Sequence, residues 1–102
     1  MELARVEGKI VSTAKTDRLK GFKLLLLNTV QPDMTPKNNY MVAVDTVGAG
    51  AGDIVIAVRG SSARQTAVTE SVPTDTSIIA IVDTIELQGE LLYEKSNYQE
   101  ND

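Results

Sequence analysis

Apolar and polar residues alternate along this chain in short runs, a pattern typical of β-strands. Five runs of this kind cover residues 3–11, 22–30, 40–47, 53–59 and 77–87. The four successive leucines Leu24–Leu27 indicate that the second strand is buried on both faces. Gly8 predicts a bend or bulge inside the first strand. The chain is therefore predicted to be mostly β.

The segments between these runs predict turns, loops and one short helix. Gln31–Asn39 is rich in Pro, Asp and Asn and predicts a hairpin loop, and Gly48–Gly52 predicts a glycine turn. Ser62 followed by Gln65 fits a capping box, which predicts a short helix over Ser62–Val68. Five strands with one short helix between the fourth and fifth favour a small β-barrel, which removes the exposed edges of an open sheet.

The chain has 102 residues, which fits a single domain. We expect the barrel domain to occupy residues 1–88. Residues 89–102 form a polar, Glu-rich tail, for which both a further short strand and partial disorder stay open.

Composition removes several classes of chemistry. There is no Cys and no His, which excludes disulfides, thiolate zinc sites and the commonest general base and metal ligand. The net charge of −4 and an aromatic content of 4% weigh against nucleic acid as the main partner. The longest apolar run, Leu24–Leu27, is too short to cross a bilayer, and the N-terminus has no leader-like apolar core. We expect no cofactor, no metal and no membrane partner, and a cytoplasmic location.

The stretch Asp45–Arg64 holds the strongest candidate motifs. Its alternating glycines resemble part of a dinucleotide fingerprint, but Asp53 stands where the third glycine belongs, and a strand follows instead of a helix. No Gly-Lys-Ser/Thr follows, so the Walker pattern fails as well. The favoured interpretation is that these glycines permit positive φ angles and close packing of the backbone.

The second half of that stretch resembles the start of a nucleophile elbow. Gly60 precedes Ser61 and Ser62 at the end of a strand, but Arg64 replaces the final glycine and no His is present to activate a serine. A Ser–Lys dyad through Lys15, Lys20 or Lys23 is conceivable, although no spacing favours it. Helix capping is the preferred role of Ser62.

Two groups of charged residues have open interpretations. The carboxylates Asp45, Asp53 and Asp83 lie at or near strand ends, where turn capping is the usual role and a metal site would be weak. Arg59 and Arg64 flank the serine turn. Either both are solvated, or at least one anchors a contact between subunits.

Taken together, the motifs resemble those of the bacterial microcompartment vertex proteins, the EutN/CcmL family. The resembling segments are Ala4–Gly8, the positions Lys15, Leu19, Gly21, Lys23, Leu24 and Leu25, and the segments Ala43–Asp53, Gly60–Arg64 and Ile79–Asp83. The pair Gly-Ala-Gly-Ala-Gly and Gly-Ser-Ser-Ala-Arg is the most specific of these. The resemblance covers residues 2–85. The loop Gln31–Asn39 and the tail carry no family signature, so the type of microcompartment is left open.

The resemblance implies an OB-like five-stranded β-barrel that assembles as a cyclic homopentamer. Such pentamers plug the vertices of polyhedral shells and contact hexameric shell proteins. This implies a structural protein that is not an enzyme, in the shell of a cytoplasmic microcompartment. The residues expected at the subunit interface or pore are Gly48, Gly50, Gly52, Arg59, Gly60, Ser61, Ser62, Ala63 and Arg64.

Two rival functions differ in kind from a shell role. An OB-type module for single-stranded nucleic acid is the main alternative, but it needs a basic groove and stacking aromatics. The only aromatic residues are Phe22, Tyr40, Tyr93 and Tyr98. A small enzyme would need an activated nucleophile or base, and the sequence offers neither.

Overall fold

The computed structural model of the chain describes residues 1–13, 21–60 and 75–97. The strands in these ranges are β1 (Glu2–Ile10), β2 (Lys23–Val30), β3 (Pro36–Asp45), β4 (Ile54–Arg59), β5 (Thr76–Ile81), β6 (Thr84–Leu87) and β7 (Glu90–Glu94), followed by a 3₁₀ turn over Lys95–Asn97. The helix predicted over Ser62–Val68 lies outside the described residues.

Five of the strands close into a barrel in the order β1-β2-β3-β5-β4. Strand β1 closes it by pairing antiparallel with both β2 and β4, and β3 pairs parallel with β5. The predicted OB-like five-stranded barrel is thereby confirmed. The predicted bulge at Gly8 is confirmed too, because the register of β1 against β2 shifts between Val6 and Gly8.

The hairpin loop expected over Gln31–Asn39 is shorter than predicted. A tight turn closes with hydrogen bonds from Gln31 N to Thr35 O and from Met34 N to Gln31 O, both 2.8 Å long, and β3 begins at Pro36. Proline is tolerated as the first residue of a strand, and Asn38 has a φ of 57° where the register against β2 is irregular. The Pro and Asn residues therefore mark the start of a strand as well as a turn.

The single fifth strand predicted over residues 77–87 is wrong. The chain leaves the barrel after Ile81, where Val82 N donates a 2.8 Å hydrogen bond to Ile54 O. It then forms an antiparallel hairpin of β6 and β7, here called the C-terminal hairpin. Its turn residues Gln88 and Gly89 both have positive φ angles, 51° and 85°, as type I′ hairpin turns require.

Two hydrophobic clusters stabilise this arrangement. The first fills the barrel and includes Leu25, Leu27, Val55 and Ile78. The second consists of Met34, Ile54 and Tyr93, with Leu3, Val82 and Ile85 packed against it. Ile54 and Leu3 alternate with barrel-facing neighbours, so this second cluster lies on the outer face of β1 and β4. Tyr93 is buried there, and the C-terminal hairpin is thus attached to its own barrel.

Candidate assembly surface

The glycine turn, Gly48–Gly52, joins β3 to β4, and the Asp45 carboxylate organises its first half. Asp45 Oδ1 accepts hydrogen bonds from the backbone N–H groups of Val47 (3.1 Å), Gly48 (3.2 Å) and Ala49 (3.2 Å). The Asp45 side chain is only 2% exposed. The capping role expected for this residue is confirmed.

Lys23 holds the same half of the turn from β2. Its Nζ donates a 2.8 Å hydrogen bond to Ala49 O and lies 3.5 Å from Asp45 Oδ2. Ala49 itself is fully buried in the barrel core. The lysine therefore neutralises a buried carboxylate and binds a turn carbonyl at the same time, which a serine-activating lysine would not do.

Asp53 organises the second half of the turn. Its Oδ2 accepts a 2.9 Å hydrogen bond from Gly50 N, and its backbone N donates to Gly50 O over 3.0 Å. Its Oδ1 accepts a 2.7 Å hydrogen bond from Lys95 Nζ. Burial raises the pKa of the Asp53 carboxyl, but the hydrogen bonds from Lys95 and Gly50 and the charges of Lys95 and Lys23 bring the pKa below 3.8. The carboxylate is therefore ionised at neutral pH.

The backbone of the turn also continues the sheet. Gly52 N donates to Val6 O over 2.8 Å, and Val6 N donates to Asp53 O over 2.9 Å. The N–H groups of residues 47–50 and 52 are thus bonded within the chain. A phosphate cradle needs such groups free and aimed at the ligand, so this turn is not one.

The three glycines of the turn differ in what requires them. Gly48 and Gly52 have φ angles of 83° and 89°, a conformation that disfavours side chains. Gly50 has no such angle, and a Cβ added to it would meet no other atom within 4 Å. The fold of residues 1–13, 21–60 and 75–97 explains Gly48 and Gly52 but gives no reason for Gly50.

Arg59 and Gly60 lie at the other end of β4. Arg59 Nε is 3.4 Å from Glu2 Oε2 on the neighbouring strand, and Gly60, with a φ of 68°, donates its N–H to Asp75 O over 2.7 Å. Six residues of strand separate this end from the glycine turn, about 20 Å at the usual rise. The structure therefore does not bring the two halves of the candidate site together at one point. Ser61, Ser62, Ala63 and Arg64 lie outside the described residues.

The surroundings of these residues offer neither a metal site nor a membrane-spanning helix within the described ranges. Within residues 1–13, 21–60 and 75–97, no group of three or more His, Cys, Asp or Glu is placed to hold a metal ion. No helix in the same ranges is long and apolar enough to span a membrane. Asp45 and Asp53 cap separate halves of the glycine turn, and each has its own lysine.

The role of Lys95 at the glycine turn was not predicted from the sequence. Lys95 comes 42 residues after Asp53, and nothing local in the Glu-rich tail marks its partner. The contact between Lys95 and Asp53 forms only in the folded chain, because the C-terminal hairpin must pack over β1 and β4 before the two side chains meet.

The closed barrel and its hydrogen-bonded glycine turn define the class of protein: a small β-barrel domain in which Asp45, Asp53 and Lys23 stabilise the fold. The family model described as "Ethanolamine utilisation protein EutN/carboxysome" matches residues 1–83. The chain belongs to this EutN/CcmL family, as its sequence motifs predicted.

Named relatives agree with this assignment over nearly the whole chain. The chain is 43% identical to the carboxysome shell vertex protein CcmL of Nostoc sp., covering 95% of this chain and 97% of that protein. The structure of Gloeobacter violaceus CcmL is similar with a TM-score of 0.89 at 40% identity, covering 95% of this chain and all of that one. The pentameric microcompartment shell protein GrpN from Rhodospirillum rubrum is similar with a TM-score of 0.77 at 44% identity, covering 85% and 99%.

Proposed function

We propose that this chain is a shell vertex protein: a cyclic homopentamer in the shell of a bacterial microcompartment, within the cytoplasm. The observation that carries the proposal is 43% identity to a carboxysome shell vertex protein over 95% of the chain. The similarity to the pentameric GrpN structure supports the number of subunits.

The geometry of closed shells gives the pentamer its role. Hexagonal tiles form a flat layer, and a closed polyhedron needs fivefold positions where the layer bends. A ring of five identical subunits fills such a position through heterologous contacts that close after five copies. We propose hexameric shell proteins as the partners at the outer edges of the ring.

The glycine turn and the far end of β4 are the proposed contact residues between subunits. Gly50 supports this, since its missing side chain has no explanation within the described part of a single chain. Gly48, Gly52, Arg59 and Gly60–Arg64 belong to the same proposed contact region, which would include the two ends of β4. The Glu2–Arg59 ion pair presents the arginine at the barrel surface, where it is 47% exposed.

We propose that the protein has no catalytic role and binds neither nucleic acid nor membrane. The turn amides are already bonded within the chain, and Lys23, the one described lysine considered for a serine dyad, binds Asp45 and Ala49. Binding of single-stranded nucleic acid is not favoured, since the net charge is −4 and aromatic residues are few.

Co-expression with hexameric shell proteins tests this function. With the chain present, electron microscopy should show closed polyhedral shells, and without it open sheets, tubes or shells with missing vertices. The Arg64→Glu variant should fail to close shells, whereas the control Lys9→Glu, a charge reversal at an exposed residue outside the proposed contact residues, should close them. Closed, fully capped shells in the absence of the chain would contradict the proposal.

A further inference from the structure

A cyclic ring has heterologous contacts, so each subunit must present two different and complementary surfaces. The following inference rests on the proposed pentamer and identifies two such surfaces away from the glycine turn. Both are found among the exposed apolar side chains of the described residues.

The first surface is the β3 stripe, formed by Tyr40 and Val42. Their side chains are 55% and 48% exposed and occupy successive positions on the outer face of the barrel. Val42 lies opposite Leu26 of β2, so the stripe continues onto a half-buried leucine. The exposed Lys37 precedes Tyr40 by three residues on the same strand. An exposed large aromatic residue with aliphatic neighbours is typical of an interface anchor.

The second surface is the hairpin groove, a cleft of about 320 Å³ between the C-terminal hairpin and the Gln31–Thr35 turn. Its lining residues are Gln31, Pro32, Asp33, Thr35, Leu87 and Leu92. Leu87 is 51% exposed, which leaves the apolar floor open. This volume is at the small end of ligand pockets, which span about 300–1,000 Å³. It suits a single large side chain better than a metabolite.

The rim of the hairpin groove is acidic. The side-chain and backbone hydrogen bonds from Thr35 hold the pKa of the Asp33 carboxyl below 3.8, so this group is ionised at neutral pH. Glu90 lies directly opposite Leu87 in the hairpin. Lys95, the lysine that directly follows the hairpin, is already bonded to Asp53. The groove therefore favours an apolar group accompanied by a positive charge.

The two surfaces lie at the same end of the barrel but on different sides of it. The Gln31–Thr35 turn leads directly into β3, and Tyr40 comes four residues after the first residue of that strand. The C-terminal hairpin covers β1 and β4, whereas β3 is bonded to β2 and β5. Two surfaces near the same end of the barrel and on different sides of it suit a heterologous ring contact between neighbouring subunits.

We propose that Tyr40 of one subunit inserts into the hairpin groove of the next subunit in the ring. The phenol ring packs on Leu87 and Leu92, and Lys37 faces the acidic rim at Asp33 and Glu90. Repeated around the ring, this contact would be made five times.

Cysteine crosslinking tests this contact directly, because the chain has no Cys of its own. In the double variant Tyr40→Cys with Leu87→Cys, mild oxidation or a short bismaleimide should produce a covalent ladder ending at the pentamer on a denaturing gel. The single variants Tyr40→Cys and Leu87→Cys should give no ladder, since identical positions do not meet in a heterologous ring. Val11→Cys with Leu87→Cys is a further control, because Val11 is exposed at the opposite end of the barrel.

If the cysteine variant assembles poorly, the contact can be tested by measuring how the pentamer dissociates on dilution. Tyr40→Ala should raise the concentration at which half of the pentamer dissociates by about tenfold or more, and Val11→Ala should leave it unchanged. The contact is overturned if the wild type and Tyr40→Ala pentamers dissociate at the same concentration, or if the double-cysteine variant assembles without crosslinking. Either result leaves the proposed function intact. A wild-type chain that forms no pentamer would instead overturn the proposed function.

Discussion

The Lys95 ammonium lies 2.7 Å from the Asp53 carboxylate and thereby joins the C-terminal hairpin to the glycine turn. The backbone N–H of Lys95 also donates to Asp83 O over 2.8 Å, which continues the pairing of β6 with β7 and fixes the backbone of Lys95. The same Asp53 carboxylate accepts from Gly50 N, so one side chain connects two surfaces proposed for assembly. Hairpin position and turn geometry are therefore coupled within one subunit.

This ion pair predicts an acid-dependent loss of stability. The pKa of the folded Asp53 carboxyl is below 3.8, so the folded chain holds its proton less tightly than the unfolded chain. Its stabilisation is complete above the unfolded pKa and is lost as the pH falls through the lower, folded value. Asp53→Asn should therefore flatten the acid side of a stability–pH profile measured by urea unfolding.

At neutral pH the Asp53→Asn variant should lose up to about 1 kcal/mol, because Lys95 is nearly half exposed and solvent screens the pair. Glu86→Gln is the matched control, an exposed carboxylate of the hairpin that should leave the profile unchanged. Equal acid sensitivity in the wild type and Asp53→Asn would show that the pair contributes nothing.

Asp45 should matter far more than Asp53. Its buried carboxylate accepts three backbone hydrogen bonds and neutralises Lys23, so Asp45→Ala removes the acceptor of three N–H groups and the counter-charge of the lysine. We expect a loss of about 3 kcal/mol in the free energy of unfolding. Denaturant unfolding of Asp45→Ala beside the exposed Asp83→Ala provides the comparison, and similar losses in both would refute the capping role.

The glycines of the turn should separate folding from assembly. Gly48→Ala should destabilise the chain by about 1–2 kcal/mol, because it forces a side chain into a positive φ angle. Gly50→Ala has no such cost and should leave the unfolding free energy unchanged or slightly raised. If the turn lies at the subunit contact, Gly50→Ala should nevertheless weaken the pentamer on size-exclusion chromatography with light scattering. An unaffected pentamer would remove Gly50 from the interface.

Much of the barrel could be predicted because its signals are local. The alternating runs located all five barrel strands, and Gly8 marked the bulge of β1. The prediction that β2 is buried on both faces is only partly correct: Leu25 and Leu27 are buried, but Leu24 and Leu26 are half-buried on the outer face. A run of leucines does not reveal whether the covering surface comes from the same chain or from another.

The features that escaped prediction depend on long-range contacts. The strand expected over residues 77–87 breaks at Val82 and Asp83, although its apolar pattern continues, because its partner strand β4 begins at Ile54 and β6 pairs with β7 instead. The turn at Gln88 and Gly89 lacks the Asn-Gly or Asp-Gly signature of a type I′ hairpin. Lys95 was missed for the same reason, since its partner is distant in sequence.

Native mass spectrometry of the purified chain at micromolar concentration decides whether the chain forms a pentamer. We expect a dominant species with five times the mass of the 11.0 kDa chain, with the Tyr40→Ala variant shifted towards smaller species. A wild-type spectrum dominated by the monomer, or by a ring with a different number of subunits, would contradict the proposed pentamer.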